Sequence, residues 1–283
     1  MTSTSIGPGE MRARQRSGVI LTLAALRLVA GLCLAMPLAS LLGASGIGER
    51  VEGDRALFEA GGYLLLEVLR VQTSALTATL RGLLPVLLLG LTLTVASNAA
   101  LLVALNTRGR LVLRSWLGSA LERVPPLLLL GAATTVAQGI VLVLAGLLTD
   151  ALPQSPIRPV AASATQVGAW ALAAILAGAL GGFADVVKAS LVRHESRLRD
   201  AFFQAFTCTL RSPLRSLLGW LPYAALLLLA VLAAGKLTEI CDVSRAGAWR
   251  VATVFIVHQL VVVLSVTLRA AWFARVLRLA AAT

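Results

Sequence analysis

Six stretches of the chain, each about as long as a bilayer is thick, are nearly free of charge, and this restricts the backbone more than any other feature. A hydrocarbon core of about 30 Å takes roughly 20 residues at about 1.5 Å rise, and lipid offers no partner to an unpaired amide, so such stretches must be helical. They run from Ser17 to Leu42, Gly82 to Leu105, Val124 to Leu148, Val160 to Ala184, Ser216 to Gly235 and Val251 to Leu268. Of 283 residues, 58% are hydrophobic and 13% charged, a balance at which a water-soluble chain would aggregate. The expectation is an all-α, polytopic integral membrane protein. It is one membrane domain, a six-transmembrane-helix bundle with interfacial amphipathic helices.

Basic residues near span ends resist translocation and set orientation. With the N-terminus inside, the cytosolic segments hold 16 Lys and Arg against 5 acids, while the opposite side holds 8 of each. The tails 1–16 and 269–283 are therefore both expected in the cytosol. Arg outnumbers Lys by 23 to 2 in an Ala- and Leu-rich background, which points to a GC-rich bacterial genome and hence to a bacterial plasma (inner) membrane. The first span is expected to be retained rather than cleaved as a signal peptide, since Arg27 interrupts its apolar run and Pro37 spoils the cleavage pattern.

The net charge of +12 does not imply nucleic acid, because the cations lie in short strips beside the spans rather than on one basic face. An anionic inner leaflet is the partner such strips fit, each residue contributing about 1 kcal/mol at the surface. The cysteines, Cys33, Cys208 and Cys241, fall in different compartments, so neither a disulfide nor a zinc site is expected, and the chain carries no cofactor motif.

The outer loop from Gly43 to Arg81 is the longest translocated segment. Its residues 61–80 are apolar, but Glu67 and Arg70 would be costly at mid-bilayer, so a helix at the outer interface or tucked against the bundle is expected there. Two cytosolic segments are amphipathic. In 110–121, Leu113, Trp116, Leu117, Ala120 and Leu121 form an apolar stripe. In 191–211, Leu198, Phe202, Phe206 and Leu210 form another, opposite Arg193, Arg197, Asp200, Gln204 and Arg211. Each can lie flat on the inner leaflet or dock a cytosolic or membrane protein partner.

Polar groups inside spans are the default functional positions, because lipid penalises them. Here they are Arg27, Asn98, Gln138, His258 and Gln259. Arg27 can snorkel to the inner headgroups or pair with Asp185. The amides can make interhelical hydrogen bonds of about 0.6 kcal/mol each. If Asn98, Gln138 and His258 converge on a water-filled cavity, they mark a transport path; the expectation is that they do not. No acid occurs at mid-depth, which argues against an ion-driven pump. Ala174, Gly178 and Gly182, four apart, form a small-residue stripe for close helix packing within the chain or across a homodimer seam.

Thr77–Arg81 before the second span echoes Thr207–Arg211 before the fifth, as an inverted repeat of a transporter would. Gly43-Ala44-Ser45-Gly46 follows the first span in a loop, unlike the buried serine of rhomboid-like proteases, so no catalytic residue is assigned. These observations favour a non-catalytic membrane subunit or scaffold. The alternative is a transporter or permease subunit moving a small solute or lipid, and a membrane-embedded enzyme ranks third.

Overall fold

A computed structural model describes residues 16–44, 73–107, 109, 111–151, 159–194, 196–241 and 248–281. Among these the chain is all helical, without a strand. The helices are α1 (Ser17–Ala44), α2 (Thr73–Asn106), α3 (Leu113–Ala151), α4 (Pro159–His194), α5 (Leu198–Arg211), α6 (Pro213–Leu217), α7 (Leu221–Cys241) and α8 (Ala248–Ala281). Five stretches are long and apolar enough to cross a membrane: Leu88–Asn106, Leu113–Thr149, Thr165–His194, Pro213–Cys241 and Ala252–Ala281. Within α1 the apolar stretch among the described residues is Ser17–Cys33, shorter than a full crossing. The protein is thus a multi-pass helical chain of membrane type. The helix expected over 61–80 lies outside the described residues as far as 72, and α2 begins at Thr73.

The helices outrun the apolar stretches that announced them. Residues 113–121 are not a separate interfacial helix but the first turns of α3, which continues through Pro125 and Pro126. Each proline removes one backbone donor, whereas a full break in an apolar environment would orphan several at each new end, so continuity wins. The apolar stripe there divides: Trp116 and Ala120 turn inward, the indole donating to the Ala100 carbonyl at 2.8 Å, while Leu113, Leu117 and Leu121 are exposed. Residues 269–281, expected as part of a tail, continue α8 and are largely buried.

Two compact units can be distinguished. The first comprises Met1–Ser17, Val95–Ala225 and Leu268–Thr283. Its core is built from Ala99–Leu105 of α2, Ala184–Val192 of α4 and Ala270–Ala280 of α8. Here α3 runs along α4, and α5 and α6 pack on α4. Polar side chains bind these elements through backbone carbonyls: Arg123 donates to Leu191 O at 3.1 Å, and Asn106 Nδ2 to Val192 O at 3.3 Å. Arg16 donates to Thr107 O at 2.6 Å and Gly109 O at 3.0 Å, gripping the turn between α2 and α3. Gly109 adopts φ +70 there, a left-handed conformation that a side chain would resist.

The second unit comprises Gly18–Thr94 and Leu226–Thr267. Ile20, Leu23 and Ala24 of α1 are buried in it, as are Ala234 of α7 and Val266 of α8. It holds a cavity of about 110 Å³ lined by Leu26, Val29, Ala30, Cys33, Leu89, Gly90 and Leu93.

Candidate functional site

The most concentrated polar chemistry among the described residues lies in the first unit, around Asp185. This carboxylate sits where α4 passes from an exposed apolar stretch to a buried one, and it is 3% exposed. Lys188, one turn along α4, places Nζ 2.9 Å from Oδ1, and Arg269 of α8 places Nη2 2.8 Å from the same oxygen. The Trp272 indole donates to Oδ2 at 2.9 Å. A buried carboxylate without partners would be strongly penalised. Here both oxygens accept from cations or an N–H. The Arg269 guanidinium also lies 4.3 Å over the Phe273 ring, within cation–π range.

The α6–α7 turn closes over this group. Pro213 lacks an N–H and disfavours a helical residue before it, so α5 ends at Arg211 and Ser212 takes φ −144. Gly219 is buried; a Cβ there would meet Arg215 O at 2.2 Å and Trp272 Cζ3 at 3.0 Å, so only glycine lets the turn pass the indole. Tyr223 stacks at a tilt on Trp272, 5.9 Å between ring centres. Trp220 projects the other way, onto the α4 glycines.

That contact settles where the small-residue stripe faces. A Cβ on Gly178 would lie 1.9 Å from the Trp220 ring, and one on Gly182 would lie 3.1 Å from both Trp220 Cδ1 and the Ser216 and Leu217 carbonyls. The two glycines receive an indole of the same chain, and Ala174 alone of the three is exposed. Two of the three positions of the suggested homodimer seam are therefore already filled.

Of the remaining polar positions, Gln138 and His258 are met locally. Gln138 Nε2 donates across to Ala177 O of α4 at 2.8 Å, the interhelical bond expected of a buried amide. His258, exposed on α8, donates from Nδ1 to Val254 O of its own helix at 2.9 Å. Asn98 and Gln259 are half-buried, and their oxygens Oδ1 and Oε1 lack a hydrogen-bond partner. Arg27 is half-buried on α1. The carboxylate that the sequence offered to Arg27 is held by Lys188 and Arg269. Of the polar positions, none lines the cavity of the second unit.

On α5, Ala201, Ala205, Cys208 and Thr209 are buried, whereas Phe202, Phe203, Phe206 and Leu210 are exposed. Burial pushes the Cys208 thiol above its ordinary range, against the weaker opposing effects of Ser216 and Arg211. Among the described residues, no three His, Cys, Asp or Glu side chains gather to hold a metal ion. Ser45 lies outside the described residues.

Sequence reasoning passed over Arg269, Trp272 and Trp220. A signal for the first two was present: Val266, Ala270, Phe273, Leu277 and Ala280 recur at helical spacing past the end of the last apolar stretch. Nothing in the sequence pairs Trp220 with Gly178. The chain matches no protein-family model, no curated protein and no solved structure.

Proposed function

We propose that this chain is a non-catalytic, six-span subunit or scaffold of a bacterial inner membrane, with α1 as the sixth crossing and both termini in the cytosol. The observation that supports this reading best is the way its polar groups are used. Asp185 is closed by two cations and an indole, Gln138 by a carbonyl of the neighbouring helix, and His258 by its own helix. Groups so engaged hold helices together and leave little chemistry for a substrate. The exposed row Leu113, Leu117 and Leu121 at the start of α3 is where a partner helix would lie.

A transporter is the second reading, favoured by the unpartnered oxygens of Asn98 and Gln259. Cysteine accessibility separates the two. Cys33 and Cys241 are replaced, buried Cys208 is left in place, and a single cysteine is introduced at position 98 or 138. A scaffold leaves both positions unmodified by a charged, impermeant thiol reagent applied from either side of the membrane. Modification at both would reveal a water-filled path and turn the reading to transport.

A further inference from the structure

The helix α5 is packed inside out. A surface helix on a water-soluble protein turns its large apolar residues inward. Here the residues against the protein are small, Ala201, Ala205 and Cys208, while Phe203, Phe206 and Leu210 are 60%, 50% and 67% exposed. The first set recurs at i, i+4, i+7 and the second at i, i+3, i+7, on opposite sides of the helix. Leu214 of α6 extends the outward set and is 73% exposed.

Charge and connectivity identify what covers this face. Arg197, Arg199, Arg211 and Arg215 are all exposed along α5 and α6, against the single acid Asp200. Arg199 lies four residues before Phe203 and seven before Phe206, so it shares their side. The chain on either side is anchored in membrane-crossing candidates: three residues separate His194 of α4 from Leu198, and only Ser212 separates Arg211 of α5 from the stretch Pro213–Cys241 that α6 opens and α7 continues. Two helices that cross a bilayer and are joined by such links hold the segment between them at its surface. At 14 residues, α5 can run about 21 Å along that surface. An apolar face with a cationic rim, tethered at both ends to a bilayer, matches anionic lipid better than an unattached protein surface.

We propose that α5 lies along an anionic membrane surface and that α6 begins the entry of the chain into the bilayer, with Phe203, Phe206, Leu210 and Leu214 at the boundary of headgroups and acyl chains and Arg199, Arg211 and Arg215 against lipid phosphates. The proposal rests on the membrane reading above and goes beyond it by naming the face and the lipid chemistry.

The test uses the full chain in lipid nanodiscs of phosphatidylcholine, with or without phosphatidylglycerol. Nitroxide labels are placed at single cysteines replacing Phe203, Leu210 or Asp200, with Cys33 and Cys241 removed and buried Cys208 retained. In anionic discs, labels at 203 and 210 are expected to meet oxygen more readily than a water-soluble nickel complex, and the label at 200 the reverse. The triple variant R199Q/R211Q/R215Q should lose most of the difference between anionic and neutral discs, each arginine contributing roughly fivefold to the preference. The matching Arg→Lys triple should retain it, which separates loss of charge from misfolding. Labels at 203 and 210 as open to nickel in anionic discs as in detergent would overturn the proposal while leaving the membrane reading intact. Labels open to nickel in pure lipid discs but shielded in native vesicles would assign the face to a protein and overturn it as well. Failure of the chain to enter discs at all would sink both readings.

Discussion

The two halves of α4 are both helical and both rich in Ala, Val and Leu, yet their surroundings are opposite. From Val167 to Leu180 the large side chains Val167, Trp170, Leu172, Ile175 and Leu176 point away from the protein. From Ala184 to Val192 nearly every residue is buried, and this half carries Asp185 and Lys188. The half that hydropathy marks most strongly is the one that the protein covers least. An apolar surface that extensive is stable only where the surroundings are themselves apolar, whereas the second half has a core of its own, built by α2, α4 and α8.

The contrast is most sharply tested at Asp185. Asp185→Ala leaves Lys188 and Arg269 without their anion, and breaking a buried pair costs about 3 to 5 kcal/mol. The partial exposure of the two cations lets them relax toward solvent, so the expected loss lies near the lower end, read as a fall in melting temperature in detergent. Asp185→Asn should lose less, since it still accepts from Trp272. A variant as stable as the parent would mean that this cluster does not hold the inner core.

Leu176→Asp, in the exposed half, tests the other side of the comparison. The side chain is half-exposed, so a protein in water would tolerate the change within about 0.5 kcal/mol. A charge facing hydrocarbon instead costs roughly 2.5 to 3.5 kcal/mol of insertion. A glycosylation or protease-protection assay of membrane insertion should show the loss. Normal insertion would remove lipid from that face.

Gly178→Ala should destabilise by about 1 to 3 kcal/mol, because the added methyl overlaps the Trp220 ring. Ala174→Leu, one turn away and exposed, should be neutral. Thermal unfolding of the pair reports whether the stripe is internal packing. Equal effects, or a change in oligomeric state with Ala174→Leu, would restore a dimer seam.

The smallest expected effects are at Gln138 and His258. Removing its bond to Ala177 O through Gln138→Leu should cost about 0.6 kcal/mol, and His258→Leu should cost less, since that ring bonds only within its own helix. A larger loss of function than of stability at Gln138 would move the balance toward transport.

Legibility follows the same division. The apolar runs were plain because each long helix must pair its own backbone in lipid. The amphipathic character of α5 was plain too, but the small residues of its packed face were not. Of the expected stripe, Phe202, Phe206 and Leu210 are exposed, and the packed face consists of Ala201, Ala205, Cys208 and Thr209. Helices run on past charges that bound the apolar stretches, as at Asp185, Lys236 and Arg269. Arg269 lies within α8, paired with Asp185, which it shares with Lys188.

By itself, then, the sequence determined that the chain is helical, of membrane type and traversed by long apolar segments, because hydropathy and backbone satisfaction are properties of each segment alone. Tertiary structure decided which apolar face meets protein, which carboxylate meets which cation, and that Trp220 occupies Gly178 and Gly182. Lipid and protein interior are equally apolar, so no scale of residue hydrophobicity distinguishes them. What distinguishes them is close approach between residues far apart in the chain, and that is a property of pairs.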